Sequence, residues 1–449
     1  MKIIAIAAVV VCILIMFKVR KEYKIALLIF GSMIFTLVEV PGVPFRSANA
    51  LLPIAFLFSE IQNLKRYISQ SRGTLVWKIS GLAILMVVLV LLNSPHLRDF
   101  SSIRGFIFGE LFFKYFAILY AFWSYKDEVS LYPTLKMTKI GMVILTFFGI
   151  VNLITQNALF LEEIYKGVEE VGLRSGDEMG SMFTDQDRFR VQSMFYNPFD
   201  YGYICIMALL LHIYAFSKKL ENKRSLFIVV LGSLFGIVTC GCRTVLFCTI
   251  FGVIAYILIA FNLRRSFKIM SAALLAGFIV YLTVPAVNEK VDNTLTMFES
   301  KSDVSGSSLE MRYMQYAAVL YQVQDSPLLG KGYHYFLIDM GWQDGYLGLR
   351  DERLYGLEGV TMGYILERGF IGLFIYLIIY ISLIMYCIKN KHIDRKLSAL
   401  GISILIVYLL FANMTGELKS VYPTLLLMGL AIGIMETKKS QLTPPPLNG

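Results

Sequence analysis

Charge is scarce in this chain. Only 16% of its 449 residues are Asp, Glu, Lys or Arg, and histidine occurs four times. Several soluble domains would need charged surfaces that this composition cannot supply, so they are excluded. The six cysteines (Cys12, Cys205, Cys240, Cys242, Cys248 and Cys387) lie in or beside apolar runs with no repeated C-x-x-C spacing and no paired histidines. Neither a zinc site nor a disulfide framework is legible in them. There is no G-x-x-x-x-G-K-[ST] run, so nothing points to nucleotide hydrolysis. There is also no heptad pattern, and no repeat with a period of about 20 to 50 residues.

What the chain has is apolar surface: 57% hydrophobic residues and a mean hydropathy of +0.64. Apolar stretches recur at 79–93, 106–123, 226–239, 244–261, 371–388 and 396–412. They are apolar on every face, which fits membrane-spanning helices and not the alternating strands of a lipid-embedded barrel. Residues 3–17 look like the core of a signal peptide. The basic cluster KVRKEYK follows them and no small-residue cleavage site does, so they are expected to be an uncleaved first span.

The net charge of +10 is spread over short clusters between spans. A continuous aromatic-interleaved basic patch is missing, so no nucleic-acid partner is expected. Placing 18–24, 64–72, 217–224, 262–268 and 389–396 on the cytoplasmic side gives one consistent orientation. The spans that fit are 3–17, 24–40, 48–62, 75–93, 106–124, 137–156, 196–216, 226–240, 243–261, 267–287, 360–388, 396–412 and 420–436. The expected fold class is therefore an all-α integral membrane bundle of about 12 to 14 spans, with the N-terminus outside.

Its parts would be an N-terminal bundle over 1–287 with an outer loop at 157–195, a large extracytoplasmic loop at 288–359, C-terminal spans over 360–436 and a cytoplasmic tail at 437–449. Within the large loop, 310–324 has the spacing of an amphipathic helix, which Pro327, Gly330 and Gly332 then end. Long loops of this kind usually carry function.

Arginine on the outer side runs against the charge bias, yet it occurs there at Arg188, Arg190, Arg243, Arg312, Arg350 and Arg353. Arg243, in TCGCRTVLF, stands at a tight outer hairpin where a guanidinium needs an anionic partner such as phosphate or carboxylate. Snorkelling to lipid headgroups is the plainer reading of these residues. Glu110 and Lys114 share a helix face inside a span, as an ion pair that either ties helices together or relays protons. His334, Asp339, Asp344 and Glu358 are candidate outer bases, with Glu358 best placed at the loop-to-membrane junction. Glu367 has a ready partner in its neighbour Arg368. Gly330-Lys331-Gly332 is a weak phosphate cradle.

Four segments together resemble the O-antigen ligase and polysaccharide polymerase superfamily. RVQSMFYNPFDYGY at 190–203 is similar to the family's arginine followed by proline and a span. TCGCRTVLFCTIFG at 239–252 resembles its hairpin arginine. RYMQYAAVLYQVQDSPLLGKGY at 312–333 resembles the arginine, amphipathic helix and P-x-x-G-x-G of its large outer loop. EGVTMGYILERGFIGL at 358–373 is similar to the segment leading into a late span. The likeness covers about 190–390. It departs from the pattern near Glu358-Gly359, where many of the ligases carry His-Asn.

The resemblance implies a GT-C-like, metal-independent and cofactor-free glycosyltransferase in the bacterial inner membrane, with its active site facing the periplasm or exterior. Its substrate would be an undecaprenyl-pyrophosphate-linked oligosaccharide, and a chain-length regulator is an expected partner. Arg190, Arg243 and Arg312 would stabilise the leaving pyrophosphate, and Glu358 would be the base. Arg188, Lys331 and His334 would bind substrate. The acidic residue at 358 favours an O-antigen or capsule polymerase over a ligase. A transporter or flippase, suggested by the Glu110–Lys114 pair, is the competing class.

Overall fold

The computed structural model describes residues 2–35, 38, 48–160, 184–185, 188–283, 309–341, 349–354, 357, 359–416 and 422–442. Helices dominate them: α1 (Lys2–Met16), α2 (Lys21–Ile34), α3 (Ala48–Ser59), α4 (Leu64–Ser71), α5 (Leu75–Asn93), α6 (Phe100–Ile107), α7 (Ala117–Ser124) and α8 (Tyr132–Thr155) come first. After them come α9 (Pro198–Ser217), α10 (Lys223–Thr239), α11 (Arg243–Ala260), α12 (Leu263–Thr283), α13 (Leu309–Gln322), α14 (Val360–Lys389), α15 (Arg395–Thr415) and α16 (Tyr422–Leu442). Between α6 and α7 the backbone is π-helical over Phe108–Tyr115. Two-residue strands, β1 (Thr184–Asp185) and β2 (Arg188–Phe189), pair antiparallel.

Seven helices, Leu75–Asn93, Phe100–Ser124, Val129–Thr155, Pro198–Ser217, Arg243–Ala260, Val360–Lys389 and Arg395–Thr415, are long and apolar enough to cross a bilayer. The chain is a multi-pass helical membrane protein. Its peripheral helices turn bare apolar side chains outward, such as Ile84, Leu85 and Val88 on α5 or Phe147 and Ile154 on α8. Such side chains are stable only against lipid tails. At the centre stands α9, with 83% of its apolar window buried against 33% for α8. Close backbone approach helps to fill the interior: a Cβ on Gly429 of α16 would lie 2.2 Å from the Ile118 carbonyl of α7, the small-residue contact common between helices in lipid.

The loops sort into two sets. At one end Lys218, Glu128, Asp394 and Lys438, from four different parts of the chain, form a square of ion pairs at 2.5–3.0 Å. Lys24 and Glu60 pair at 2.6 Å, joining the start of α2 to the turn after α3. At the other end Asn93 and Ser94 bond the 329–333 segment, and Val191 bonds Thr239.

Two expectations are corrected. The span placed at 48–62 ends at Ser59, because the carboxylate of Glu60 turns back to Lys24, Asn63 and Tyr67. The basic stretch 64–72, expected as a loop, is mostly the short helix α4.

Above the bundle lies an outer layer with its own apolar cluster. Ala318 and Val319 of α13, with Val323 just after it, pack with Met340, Leu349 and Leu354 and with Met362, Ile365 and Leu366 of α14. The first turns of α14 therefore belong to this layer. The helix is then broken at Gly369 (φ 64°, ψ −171°). The stretch from Phe370 to Lys389 alone is long enough for the hydrocarbon core of roughly 30 Å.

Candidate functional site

The hairpin between α10 and α11 is tight because Gly241 takes a left-handed φ of 69°. Arg190 lies across it: a Cβ at Gly241 would stand 3.0 Å from Arg190 Cγ and 3.7 Å from its Nε. The neighbouring amide of Val191 is held by the Thr239 carbonyl at 3.1 Å. Arg243 follows as the first residue of α11. It is half-buried, and among the described residues its guanidinium has no hydrogen-bond or ion-pair partner. The two arginines thus flank one turn, at a helix N-terminus whose partial positive charge adds to theirs.

Arg312 reaches the same corner from above. Its Nη1 and Nη2 donate to the carbonyls of Asn413 (3.2 Å) and Met414 (2.9 Å) at the end of α15. There it satisfies acceptors that every helix C-terminus leaves open. The packing of Gly252 on Val407 sets the register of α11 against α15. Counting outward equally from that contact brings Arg243 level with Gly416. Arg190, Arg243 and Arg312 therefore stand on elements that meet at the Thr415 end of α15.

Glu358 lies outside the described residues. Its neighbour Gly359 sits where a Cβ would be 3.1 Å from the Asn413 carbonyl, and the Thr361 hydroxyl donates to Asn413 Oδ1. Arg188 begins β2, paired in register with Asp185. Lys331 is engaged by Asp325 at 2.6 Å. His334, in a left-handed conformation (φ 64°), stacks on Tyr333 with centroids 3.9 Å apart. Burial first, and the charge of His96 second, push its pKa below the ordinary histidine value. His96 itself contacts Asp339 at 2.5 Å.

The expected local pairings give way to a long-range one. The hydrogen bonds of Arg368 go to Glu110, not to its neighbour Glu367: it forks onto both oxygens of Glu110, at 2.9 and 3.0 Å. Lys114 stands farther from Glu110, at 3.6 Å, and donates to the Tyr364 hydroxyl at 3.0 Å. The planar guanidinium outcompetes the lysine because only it can satisfy both carboxylate oxygens at once. Removing one partner of such a buried pair costs about 3–5 kcal/mol. Glu367 accepts from the backbone N–H groups of His334 and Phe336 while still feeling the charges of Arg368 and Glu110. A charged Glu-Arg pair followed by glycine inside an apolar run is the sequence signal that marks this place.

No group of three or more His, Cys, Asp or Glu suited to a metal occurs among the described residues. No protein-family model matches the chain, and no curated protein matches it.

Proposed function

We propose that the chain is a polymerase of undecaprenyl-pyrophosphate-linked O-antigen or capsular repeat units, acting at the outward face of the bacterial cytoplasmic membrane. The observation that carries this reading is Arg243, a half-buried guanidinium with no partner among the described residues, beside a second arginine at a helix N-terminus. A pyrophosphate is the anion best matched to such a place. The full bundle in this reading has about thirteen spans, and a chain-length regulator is its expected partner.

In the reaction the acceptor hydroxyl attacks the anomeric carbon of the carrier-bound sugar. The bond from that carbon to the pyrophosphate oxygen breaks, and the electron pair leaves with the lipid pyrophosphate. Arg190 and Arg243 offset the charge that builds there, with Arg312 fixing the outer end of α15 beside them. The hydroxyl proton passes to a base, for which Glu358 is the candidate. Transfer to a lipid A core instead of a growing chain, the ligase reaction, uses the same steps. Against the transporter reading stands the way Glu110 is held: Arg368 takes both its oxygens and Lys114 stands beside it, which supports a structural tie between helices.

The test is replacement of Arg190 and Arg243 by alanine, each expected to lower the rate by on the order of 10² or more. Long-chain surface glycan should disappear while protein level and insertion stay normal. An unchanged chain-length distribution in both variants overturns the reading. Accumulation of short lipid-linked units on the cytoplasmic leaflet instead identifies a transporter.

A further inference from the structure

Where α14 breaks at Gly369, the helix loses two sets of backbone partners, and the segment 327–332 replaces them. Lys331 and Gly332 donate to the carbonyls of Leu366 (2.8 Å) and Glu367 (3.0 Å) on the outer half. Pro327 and Leu328 accept from Phe370 (2.9 Å) and Ile371 (3.1 Å) on the inner half. The same segment is tied to α5, whose Asn93 Nδ2 donates to the carbonyls of Leu329 and Gly330 at 2.9 and 3.0 Å. Next to the break Arg368 is anchored by Glu110. That carboxylate comes from a π-helical turn, a form common at functional sites. Four elements, α5, the π-turn, α14 and the outer loop, thus meet at one joint.

We infer that Glu110 and Arg368 are positioning residues: their ion pair locks the helix break and so fixes the outer layer, including Arg312, over the bundle. Neither contacts substrate. The activity arm of the test rests on the polymerase reading; the structural arm does not.

The charge count makes the test specific. With the three groups ionised, Glu110, Lys114 and Arg368 sum to one positive charge. Arg368→Gln leaves none, Glu110→Gln leaves two, and the double variant restores one. The full-length protein in detergent is examined by hydrogen exchange at 326–333 and 366–371, and the same variants are assayed for long-chain glycan in cells.

Each single variant should speed exchange at the joint, and lower glycan output, on the order of tenfold or more. The double variant should return both to within about threefold of the parent, because neither partner of the Glu110–Arg368 pair is left charged and Lys114 keeps its bond to the Tyr364 hydroxyl. Arg368→Lys, which keeps the charge and loses the fork, should fall between and serves if either glutamine variant fails to fold. Exchange in the double variant no slower than in the worse single overturns the lock. Restored exchange with glycan still absent overturns the positioning role and makes Arg368 part of the reaction. Should the parent make no glycan at all, the polymerase reading falls while the exchange result still decides the lock.

Discussion

Replacing Gly330 by alanine perturbs the joint without touching a charge. The added Cβ would stand 2.5 Å from the Gly369 nitrogen, 2.7 Å from the Arg368 nitrogen and 2.8 Å from the Glu367 carbonyl carbon. These are backbone atoms, so no rotamer change relieves the clash. Gly330 also has φ 72°, where an L-residue costs about 1–2 kcal/mol. Overpacking adds about 1–3 kcal/mol, for about 2–5 kcal/mol in all. Gly416 isolates the conformational part: its φ is 85° and no atom of the described residues lies within 4 Å of its Cβ position, so Gly416→Ala should cost only about 1–2 kcal/mol. Denaturant titration in detergent micelles measures both. Hydrogen exchange at the amides of Phe370 and Ile371 then localises the damage, with opening in Gly330→Ala favoured by at least about 30-fold. Equal destabilisation by the two substitutions would refute the close contact at the break.

Two other predictions concern the two ends of the bundle. Asp394 caps α15 through Leu397 N at 3.0 Å and accepts from Lys218 and Lys438 at 2.6 Å each. Asp394→Asn keeps the cap and removes the charge, and should cost about 1–3 kcal/mol in the same titration; a variant as stable as the parent would show that the ion square is idle. His334 has a lowered pKa when docked, so the undocked loop binds the proton more readily. Its contribution to docking is complete above the ordinary value of about 6.5 and is lost as pH falls below it. Exchange at 331–335, corrected for intrinsic rates, should therefore speed up on acidification in the parent and not in His334→Gln.

The bundle was legible because lipid imposes a strong rule: long apolar runs bounded by basic clusters. That rule found the seven apolar helices and the amphipathic segment at 310–324, observed as Leu309–Gln322. It failed at 64–72, where basic residues on a short helix look like a loop. Arg243 was legible because charge beside an apolar hairpin is expensive wherever the chain folds. The hold of Arg312 on Asn413 and Met414 was not, since backbone carbonyls carry no residue signature. The Glu110–Arg368 pair was hidden for a different reason. Local spacing offered each residue a nearer partner, and only the tertiary fold joins positions 258 residues apart.

The contact at the helix break is made by backbone on both sides. It therefore constrains amino-acid identity only where a Cβ would intrude, at Gly330, Gly332 and Gly369. Apart from Arg368, whose fork onto Glu110 anchors the break, the side chains between them add no hydrogen bond to this backbone contact. Two glycines separated by one residue and, further along, an arginine followed by glycine inside an apolar run form a sparse fingerprint. Distant relatives could keep it after every other trace of common sequence has gone.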